Sequence, residues 1–250
     1  MKNVKMKLIA SRKIAENTYE WKLTDDYITQ RARPGQFIYI AVPGFTLRRP
    51  ISIADVDQEN EQFTILFKVV GKGTEQMAHF PPGMTVDCLG PNGNGFPLEM
   101  EKMGRALLIG GGIGVPPLHY LAKELVQKGM DVTAVIGFQS KADVFYEGEF
   151  AELGETILVT DDGSYGKKGY VTDALPDPSD FDVYFSCGPR GMLKNVQHLL
   201  KDKTGYLSLE ERMGCGVGAC AACVIPTNTK AGHKKICHDG PVFSAKEVLL

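Results

Sequence analysis

Residues 215–223 read Cys215-Gly-Val-Gly-Ala-Cys220-Ala-Ala-Cys223, and a fourth cysteine follows at Cys237. Four and then two residues separate the first three cysteines, and thirteen residues lead to the fourth. This is the ligand spacing of a plant-type 2Fe–2S cluster. The small residues between the cysteines favour a tight loop whose backbone amides can approach the cluster sulfides. The stretch therefore predicts a 2Fe–2S cluster held by four thiolates.

Zinc is the alternative occupant of these cysteines, since four thiolates also close a tetrahedral zinc site. Structural zinc sites usually contain two cysteine pairs, with two to four residues between the members of each pair. Here three ligands crowd one loop and the fourth stands apart. The spacing therefore favours the cluster over zinc.

The bulk composition is that of an ordinary globular protein. The 250 residues are 43% hydrophobic and 23% charged, with a net charge of −2, so no basic face indicates a nucleic acid partner. No apolar run approaches the roughly 20 residues of a membrane span. The first residues are charged and lack the apolar core of a signal peptide. We therefore expect a cytoplasmic protein. In such a reducing compartment, the six cysteines suit metal or redox roles.

The first hundred residues are rich in predicted β-structure. Gly and Pro separate short apolar runs, at Pro34-Gly35, Pro43-Gly44 and Pro82-Gly83 among other places. Six short strands at this spacing predict a small antiparallel barrel. A helical turn is expected over residues 74–79. The predicted strands cover residues 4–10, 18–23, 36–42, 51–54, 63–70 and 84–89.

From about Lys102 onward, apolar strands alternate with helical segments. Such alternation predicts a parallel sheet with helical crossover connections. The predicted strands cover residues 105–110, 132–138, 156–160 and 182–186, and the predicted helices cover 116–127, 147–153 and 190–200.

Two glycine-containing turns end strands of this predicted sheet. Residues 110–114 read Gly-Gly-Gly-Ile-Gly and precede Pro116 and Pro117, which suit a first helical turn. The turn does not match the dinucleotide-binding pattern G-x-G-x-x-G. Two interpretations therefore stay open: the turn receives a dinucleotide pyrophosphate at the helix N-terminus, or it serves tight packing alone. Cys187 and Gly188 end a later strand at the same sheet edge. Taken alone, Cys187 is also compatible with a buried structural thiol.

The barrel carries two candidate anion sites. Arg48 and Arg49 stand just before a strand, and arginine makes forked contacts with phosphate. Gly73-Thr74 opens the predicted helical turn, whose free amides could also receive an anion. A solvated basic pair on the surface is the alternative for the two arginines.

Together these motifs resemble the ferredoxin–NADP reductase-like flavoproteins. Arg49-Pro-Ile-Ser52, Gly73-Thr74, residues 110–114 and Cys187-Gly-Pro occur in the order of that family. The resemblance implies that the first two segments bind FAD, whereas the last two receive the nicotinamide dinucleotide. Plant-type members have tyrosine where this chain has Ile51. The implied FAD contacts are Arg49, Pro50, Ile51, Ser52, Leu66, Phe67, Lys68, Gly73 and Thr74, and the implied dinucleotide contacts are Gly111, Gly112, Gly114, Cys187 and Gly188.

The cysteine segment narrows the match, because a reductase followed by this segment resembles the electron-transfer subunits of dihydroorotate dehydrogenase B. The resemblance implies Cys215, Cys220, Cys223 and Cys237 as cluster ligands. It also implies three domains in a multidomain fold: an antiparallel FAD-binding β-barrel over 1–101, an α/β parallel-sheet NAD-binding domain over 102–204, and a small 2Fe–2S domain over 205–250.

The same resemblance implies a function in pyrimidine biosynthesis. A catalytic subunit would oxidise dihydroorotate on its own FMN, and electrons would pass through the 2Fe–2S cluster and FAD to NAD⁺. No catalytic residue is assigned to this chain, since the dihydroorotate site would lie on the partner. Two copies of each subunit would form a heterotetramer, with the cluster segment at the interface.

Other reductase subunits combine the same modules. A sulfide dehydrogenase, an NADH-dependent ferredoxin:NADP oxidoreductase or a hydrogenase-type complex is therefore the alternative assignment.

The choice between NAD and NADP depends on groups after the second strand of the sheet. Residues 139–143 are mixed in charge there, and the resemblance favours NAD.

Overall fold

The computed structural model describes residues 1–99 and 104–250. Within these residues lie a closed barrel, a seven-stranded sheet and a two-stranded ribbon. Along the chain the barrel comes first, the parallel sheet second and the cysteine segment last. This is the order that the sequence predicts, and the multidomain fold class is confirmed.

Six antiparallel strands close the N-terminal barrel, and each overlaps a predicted strand. In the first strand, Val4, Met6 and Leu8 are buried between exposed residues, which is the two-residue period of a strand with one face in water. The helix expected over 74–79 begins two residues earlier, as α2. The elements are β1 Lys2–Ala15, β2 Thr18–Thr24, α1 Asp26–Thr29, β3 Phe37–Ile40, β4 Arg49–Asp57, β5 Gln62–Lys68, α2 Lys72–Ala78 and β6 Thr85–Asn92, and the strands close in the order β1, β2, β5, β4, β3, β6.

The second part is a parallel sheet connected by helices, as the alternating pattern predicts. Its central strand alternates between two packed faces: Leu108 packs with one group of core residues, whereas Leu107 and Ile109 pack with another. Strands buried on both faces are typical of parallel sheets. The elements are β7 Arg105–Gly111, α3 Val115–Gln127, β8 Asp131–Phe138, α4 Glu147–Ala151, β9 Glu155–Thr160, β10 Lys167–Lys168, β11 Val183–Cys187, α5 Arg190–Leu199 and β12 Thr204–Ser208.

The strand order reverses at β7, because β8 pairs with it on one side and β11 on the other. In open α/β sheets, ligands bind outside the carboxyl ends of the strands at such a reversal. The carboxyl ends of β7 and β11 carry the two glycine-containing turns singled out from the sequence. The fold therefore brings residues 110–114 and Cys187-Gly188 to one crevice.

Two strands tie the cysteine segment to this sheet. The remaining elements are β13 Val224–Pro226, β14 His233–Lys235, α6 Ile236–Asp239 and β15 Val242–Ser244. β12 pairs in parallel with β11, and β15 returns antiparallel to β12. The predicted division between residues 204 and 205 falls within β12. The predicted division between residues 101 and 102 lies outside the described residues.

The helices of the structure are short. Among residues 1–99 and 104–250, no helix combines the length and apolar character that a bilayer crossing requires.

Candidate functional site

The cysteine loop directs backbone amides at the cysteine sulfurs. The Cys220 amide donates to Cys215 Sγ at 3.3 Å, and the Gly218 amide donates to Cys237 Sγ at 3.3 Å. The Cys237 amide lies 3.5 Å from Cys223 Sγ. The fourth cysteine, distant in sequence, is thus folded back against the loop. Such N–H donors stabilise charge on sulfur and tune the potential of an iron–sulfur cluster.

Two glycines allow the loop to take this shape. Gly216 and Gly218 have φ values of 71° and 76°, in the left-handed region that favours glycine. A Cβ on Gly216 would overlap the ring of Tyr39, and a Cβ on Gly218 would press on His238. Close backbone approach therefore explains the small residues that the sequence carries between the cysteines.

The cysteine thiols differ in ionisation. Backbone N–H groups of Cys220 and Val217 lower the pKa of Cys215 to about 6. Burial raises the pKa of Cys237 to about 12, with the neighbouring Cys223 adding to the effect. A bound metal supplies the positive charge that a buried thiol needs in order to ionise.

The donor set fits an iron–sulfur cluster. Within the described residues, no three Cys, His, Asp or Glu side chains converge on a point that could hold a single ion. The backbone amides of Cys220 and Cys237 donate to the sulfurs of Cys215 and Cys223, and the Gly218 amide donates to Cys237 Sγ. Four cysteines, three of whose sulfurs accept from backbone N–H groups, are surroundings that suit a 2Fe–2S cluster.

Arg49 and Gly73, separated by 24 residues in sequence, meet on the barrel surface. A Cβ on Gly73 would overlap the Arg49 guanidinium, so a side chain at position 73 would displace the arginine from this place. The guanidinium also stacks over the ring of Phe45 at 4.4 Å. Thr74 Oγ1 accepts from the amides of Val70 and Gly71 at 3.0 and 3.3 Å, which closes the turn before α2. The two predicted anion-binding segments thus form one site.

The rest of the predicted flavin segment lies on β4. Pro50 is exposed, whereas Ile51 and Ser52 are half-buried, and Ile51 packs against the barrel core. This strand pairs with β3, with Ser52 opposite Phe37. The segment Arg49–Ser52 is therefore fixed by sheet pairing along its whole length.

Strand β5 connects the flavin segment with the second part of the molecule. Leu66 and Phe67 are buried. Lys68 forms an ion pair with Asp143, at 2.9 Å between Nζ and Oδ1, and Ser140 Oγ donates to the other carboxylate oxygen at 2.9 Å. Burial alone would raise the pKa of Asp143, but these hydrogen bonds hold it below its ordinary value. The ion pair joins the barrel to the turn that follows β8.

A cavity of about 640 Å³ opens at the strand reversal between the barrel and the sheet. Its size suits a nucleotide-sized ligand. Lys68 lines it from the barrel side. The predicted dinucleotide residues Gly111, Gly112, Gly114 and Gly188 line it from the sheet side.

Cys187 lies behind this wall. Its side chain is 1% exposed, and burial raises the pKa of its thiol. A Cβ on Gly114 would overlap the Cys187 carbonyl, so the two glycine turns are in direct contact. Of the five predicted dinucleotide residues, the four glycines line the cavity and Cys187 does not.

Sequence reasoning missed Glu210 as a member of the cavity wall. Its side chain opens onto the cavity but is enclosed by protein at longer range, and this enclosure raises the pKa of the carboxyl. Glu210 follows β12, whose place beside β11 brings it to the same sheet edge as Cys187. An acidic residue just after a strand was the available signal. The cavity wall also includes Thr18, Asp161, Tyr170 and Asn195.

Three domain families match the chain. An oxidoreductase FAD-binding domain matches residues 5–96, and an oxidoreductase NAD-binding domain matches residues 108–198. The iron–sulfur cluster binding domain of dihydroorotate dehydrogenase B matches residues 210–249. The chain is therefore an NAD-dependent flavin and iron–sulfur oxidoreductase subunit, and its cofactors are FAD and a 2Fe–2S cluster.

Full-length relatives narrow this class. The chain is 50% identical over 257 residues to the dihydroorotate dehydrogenase B (NAD(+)) electron transfer subunit of Geobacillus sp. (strain WCH70), covering 100% of both chains. It is 51% identical over 253 residues to the same subunit of Bacillus caldolyticus, covering 98% of both. The chain belongs to the family of dihydroorotate dehydrogenase B electron-transfer subunits.

Solved structures share the fold. A chain of the NADH-dependent reduced ferredoxin–NADP oxidoreductase superposes with a TM-score of 0.88 at 32% identity, covering 97% of this chain and 89% of that one. The ferredoxin reductase of carbazole 1,9a-dioxygenase has a TM-score of 0.70 at 19% identity, covering 81% of this chain and 66% of that one. The second likeness concerns the fold alone.

Proposed function

We propose that this chain is the electron-transfer subunit of an NAD-dependent dihydroorotate dehydrogenase of pyrimidine biosynthesis. Electrons from dihydroorotate, oxidised on the FMN of a catalytic subunit, would enter at the 2Fe–2S cluster and leave through FAD to NAD⁺. The full-length relatives carry this name, and their identity of about 50% spans the whole chain.

The observation that carries the proposal is the continuity of three sites. The cysteine loop packs on β3 through Gly216 and Tyr39. β3 pairs with the flavin segment Arg49–Ser52, and β5 of the same barrel places Lys68 in the dinucleotide cavity. An electron path from cluster to flavin to nicotinamide needs such adjacent sites.

In this proposal the four cysteines Cys215, Cys220, Cys223 and Cys237 hold the cluster. Backbone amides donate to the sulfurs of Cys215, Cys223 and Cys237, and Cys223 and Cys237 are buried. Hydrogen bonds and burial of this kind set the potential at which a cluster accepts an electron.

The barrel holds FAD. Arg49 would bind a phosphate oxygen of FAD in the geometry that Gly73 leaves open, and the Gly73-Thr74 turn would cap the pyrophosphate. Charge-assisted hydrogen bonds from arginine are the strong contacts of such a site. The full set proposed to contact FAD is Arg49, Pro50, Ile51, Ser52, Leu66, Phe67, Lys68, Gly73 and Thr74.

The crevice between β7 and β11 receives the dinucleotide through Gly111, Gly112, Gly114 and Gly188, with Cys187 supporting the wall from behind. When bound, FAD accepts electrons singly and donates a hydride, which a one-electron cluster cannot do. The part of this chain is to orient the two ligands and to exclude water between them.

We propose NAD over NADP because two aspartates line the cavity after strands of the sheet. Asp161 lines the cavity after β9, and Asp143 lines it after β8. A 2′-phosphate would meet the carboxylate of Asp161, whereas a ribose hydroxyl could donate to it.

The partner would dock on the cysteine segment. Val217, between Cys215 and Cys220, and Val224, just after Cys223, are 42% and 37% exposed although both are apolar. The proposal includes an FMN-containing catalytic subunit, two copies of each chain, and cytoplasmic location. It also divides the chain at 1–101, 102–204 and 205–250.

The test is co-expression with an FMN-containing dihydroorotate dehydrogenase subunit. The proposal predicts a stable complex that reduces NAD⁺ with dihydroorotate. Cys220→Ser should abolish NAD⁺ reduction, while NADH still bleaches the flavin and dihydroorotate still reduces a dye at the partner. Loss of the cluster without loss of NAD⁺ reduction would contradict the proposed path.

A second candidate function follows from the superposition with the NADH-dependent reduced ferredoxin–NADP oxidoreductase chain. In that case the purified chain would assemble with a ferredoxin- and NADP-dependent partner. Dihydroorotate would then support no NAD⁺ reduction, and reduced ferredoxin would be consumed instead.

A further inference from the structure

Strand β3 has two faces that serve different parts of the molecule. Ile38 and Ile40 pack into the barrel core. Phe37 and Tyr39 face the other way and belong to the core group that contains Cys223 and Cys237. The alternation of a strand thus gives the barrel an aromatic contact with the cysteine segment.

Tyr39 contacts the cysteine loop on both sides of Cys215. Its ring lies against Gly216, whose missing side chain leaves room for it. Its hydroxyl donates to Met213 Sδ at 2.7 Å. The side chain is 2% exposed and packs edge-to-face on Phe37, with 5.2 Å between ring centroids. Few positions remain open to a ring held on so many sides.

The backbone of Tyr39 belongs to the flavin site. Tyr39 pairs with Pro50, and its neighbours Ile38 and Ile40 pair with Ile51 and Arg49. A displacement of the Tyr39 ring therefore changes the position of the cysteine loop relative to the flavin segment. The Tyr39 side chain thus connects the flavin-binding strand with the cysteine loop.

We propose that Tyr39 is a positioning residue whose ring holds the cysteine loop at a fixed place against the flavin-binding strand, and so sets the separation across which electrons pass between cluster and flavin. The hydroxyl bond to Met213 adds orientation, whereas the ring supplies the contact. This inference rests on the proposed electron path, but the position of the loop can be tested independently of that path.

The test compares Tyr39→Leu with Tyr39→Phe in the full chain with its cofactors. The leucine variant removes the ring, and the phenylalanine variant keeps it. Tyr120→Leu is the matched control, because Tyr120 is also buried, at 5% exposed, and its hydroxyl donates to the Ala32 carbonyl away from the cysteines.

For Tyr39→Leu we expect amide hydrogen exchange of residues 214–219 and cluster release to a chelator to be at least about tenfold faster. After NADH is added, cluster reduction should slow while flavin reduction keeps its wild-type rate. Tyr39→Phe should restore wild-type behaviour in all these measurements. Should the leucine variant not fold, Tyr39→Met, which replaces the ring with a flexible chain, tests the same claim.

The proposal is overturned if Tyr120→Leu affects the cysteine loop as much as Tyr39→Leu, or if Tyr39→Phe behaves like the leucine variant. Failure of the proposed function has a different signature. In that case NADH would leave the wild-type cluster oxidised, while exchange and chelator release would still report on Tyr39.

Discussion

At the scale of single residues, the Arg49 guanidinium occupies the space where a side chain at position 73 would otherwise lie. The guanidinium also stacks on Phe45. Both contacts hold the arginine ready for an anion before any ligand arrives. A site organised in this way loses less side-chain entropy when an anion binds.

We predict that Gly73→Ala displaces the Arg49 guanidinium and weakens FAD binding. Losing a hydrogen bond to a charged group costs about 1.5–3 kcal/mol, so FAD affinity should fall at least about tenfold. Flavin content after purification and titration of the apoprotein measure the effect. Gly148→Ala is the control, since a Cβ there meets open space. Full flavin retention in the position 73 variant would count against this role of Arg49.

Glu210 gives a residue-scale prediction about pH. Enclosure raises the pKa of its carboxyl above the ordinary value of 4.5. The folded state then binds this proton more tightly than the unfolded state, so stability falls as the pH rises above 4.5 through the raised pKa. Glu210→Gln removes this loss.

We therefore expect the melting temperature of Glu210→Gln, relative to wild type, to increase as the pH rises above 4.5. Melting curves at several pH values measure this difference. Glu211→Gln is the control, because it removes the neighbouring carboxylate, which lies 3.4 Å from Arg190 and does not line the cavity. If the difference in melting temperature between Glu210→Gln and wild type is the same at every pH, ionisation of Glu210 does not destabilise the folded protein.

At the scale of elements, the contact of β5 with the turn after β8 joins the barrel to the sheet. The Lys68–Asp143 pair is partly exposed, so its contribution is modest. Because the pKa of Asp143 is lowered on folding, the stabilisation is present above its ordinary value of 3.8 and is lost as the pH falls below it.

We predict that Asp143→Asn destabilises the chain by at most about 1 kcal/mol at neutral pH, or roughly 2–4 °C in melting temperature. The difference should shrink in high salt and below pH 3.8. The same variant should bind NAD⁺ more weakly, because Lys68 loses the partner that fixes it in the cavity wall. Asp202→Asn, at an exposed position, is the control, and an equal effect of both variants would refute the role of the ion pair.

The elements of the barrel could be predicted because their pattern is local. Alternating apolar residues and Gly-Pro turns indicated all six strands, and the cysteine spacing indicated the cluster. The joining of β12 and β15 to the parallel sheet was not predicted, since three-residue pairings such as that of β15 depend on contacts distant in sequence. Glu210 was missed as a cavity residue for the same reason.

Tyr39 illustrates a second limit. All four residues of β3 are buried, and a continuous apolar strand does not reveal what covers its outer face. In this fold the cysteine segment covers it. Phe37 and Tyr39 face one group of core residues, and Ile38 and Ile40 face the other. This division can be recognised only when both groups are known from the structure.

At the scale of the whole molecule, the three proposed ligand sites lie along one continuous series of packed elements. The cysteine loop rests on β3, β3 pairs with the flavin segment of β4, and β5 reaches the cavity at the sheet edge. This arrangement suits entry of electrons from a partner and exit to a dinucleotide.

The most direct test of this path is the anaerobic addition of NADH to the purified full chain, followed by electron paramagnetic resonance of the cluster. The account predicts that the flavin bleaches and that the signal of a reduced 2Fe–2S cluster appears in the wild type. In Cys220→Ser the flavin should bleach without that signal. A wild-type chain whose flavin bleaches while an intact cluster stays oxidised would contradict the path.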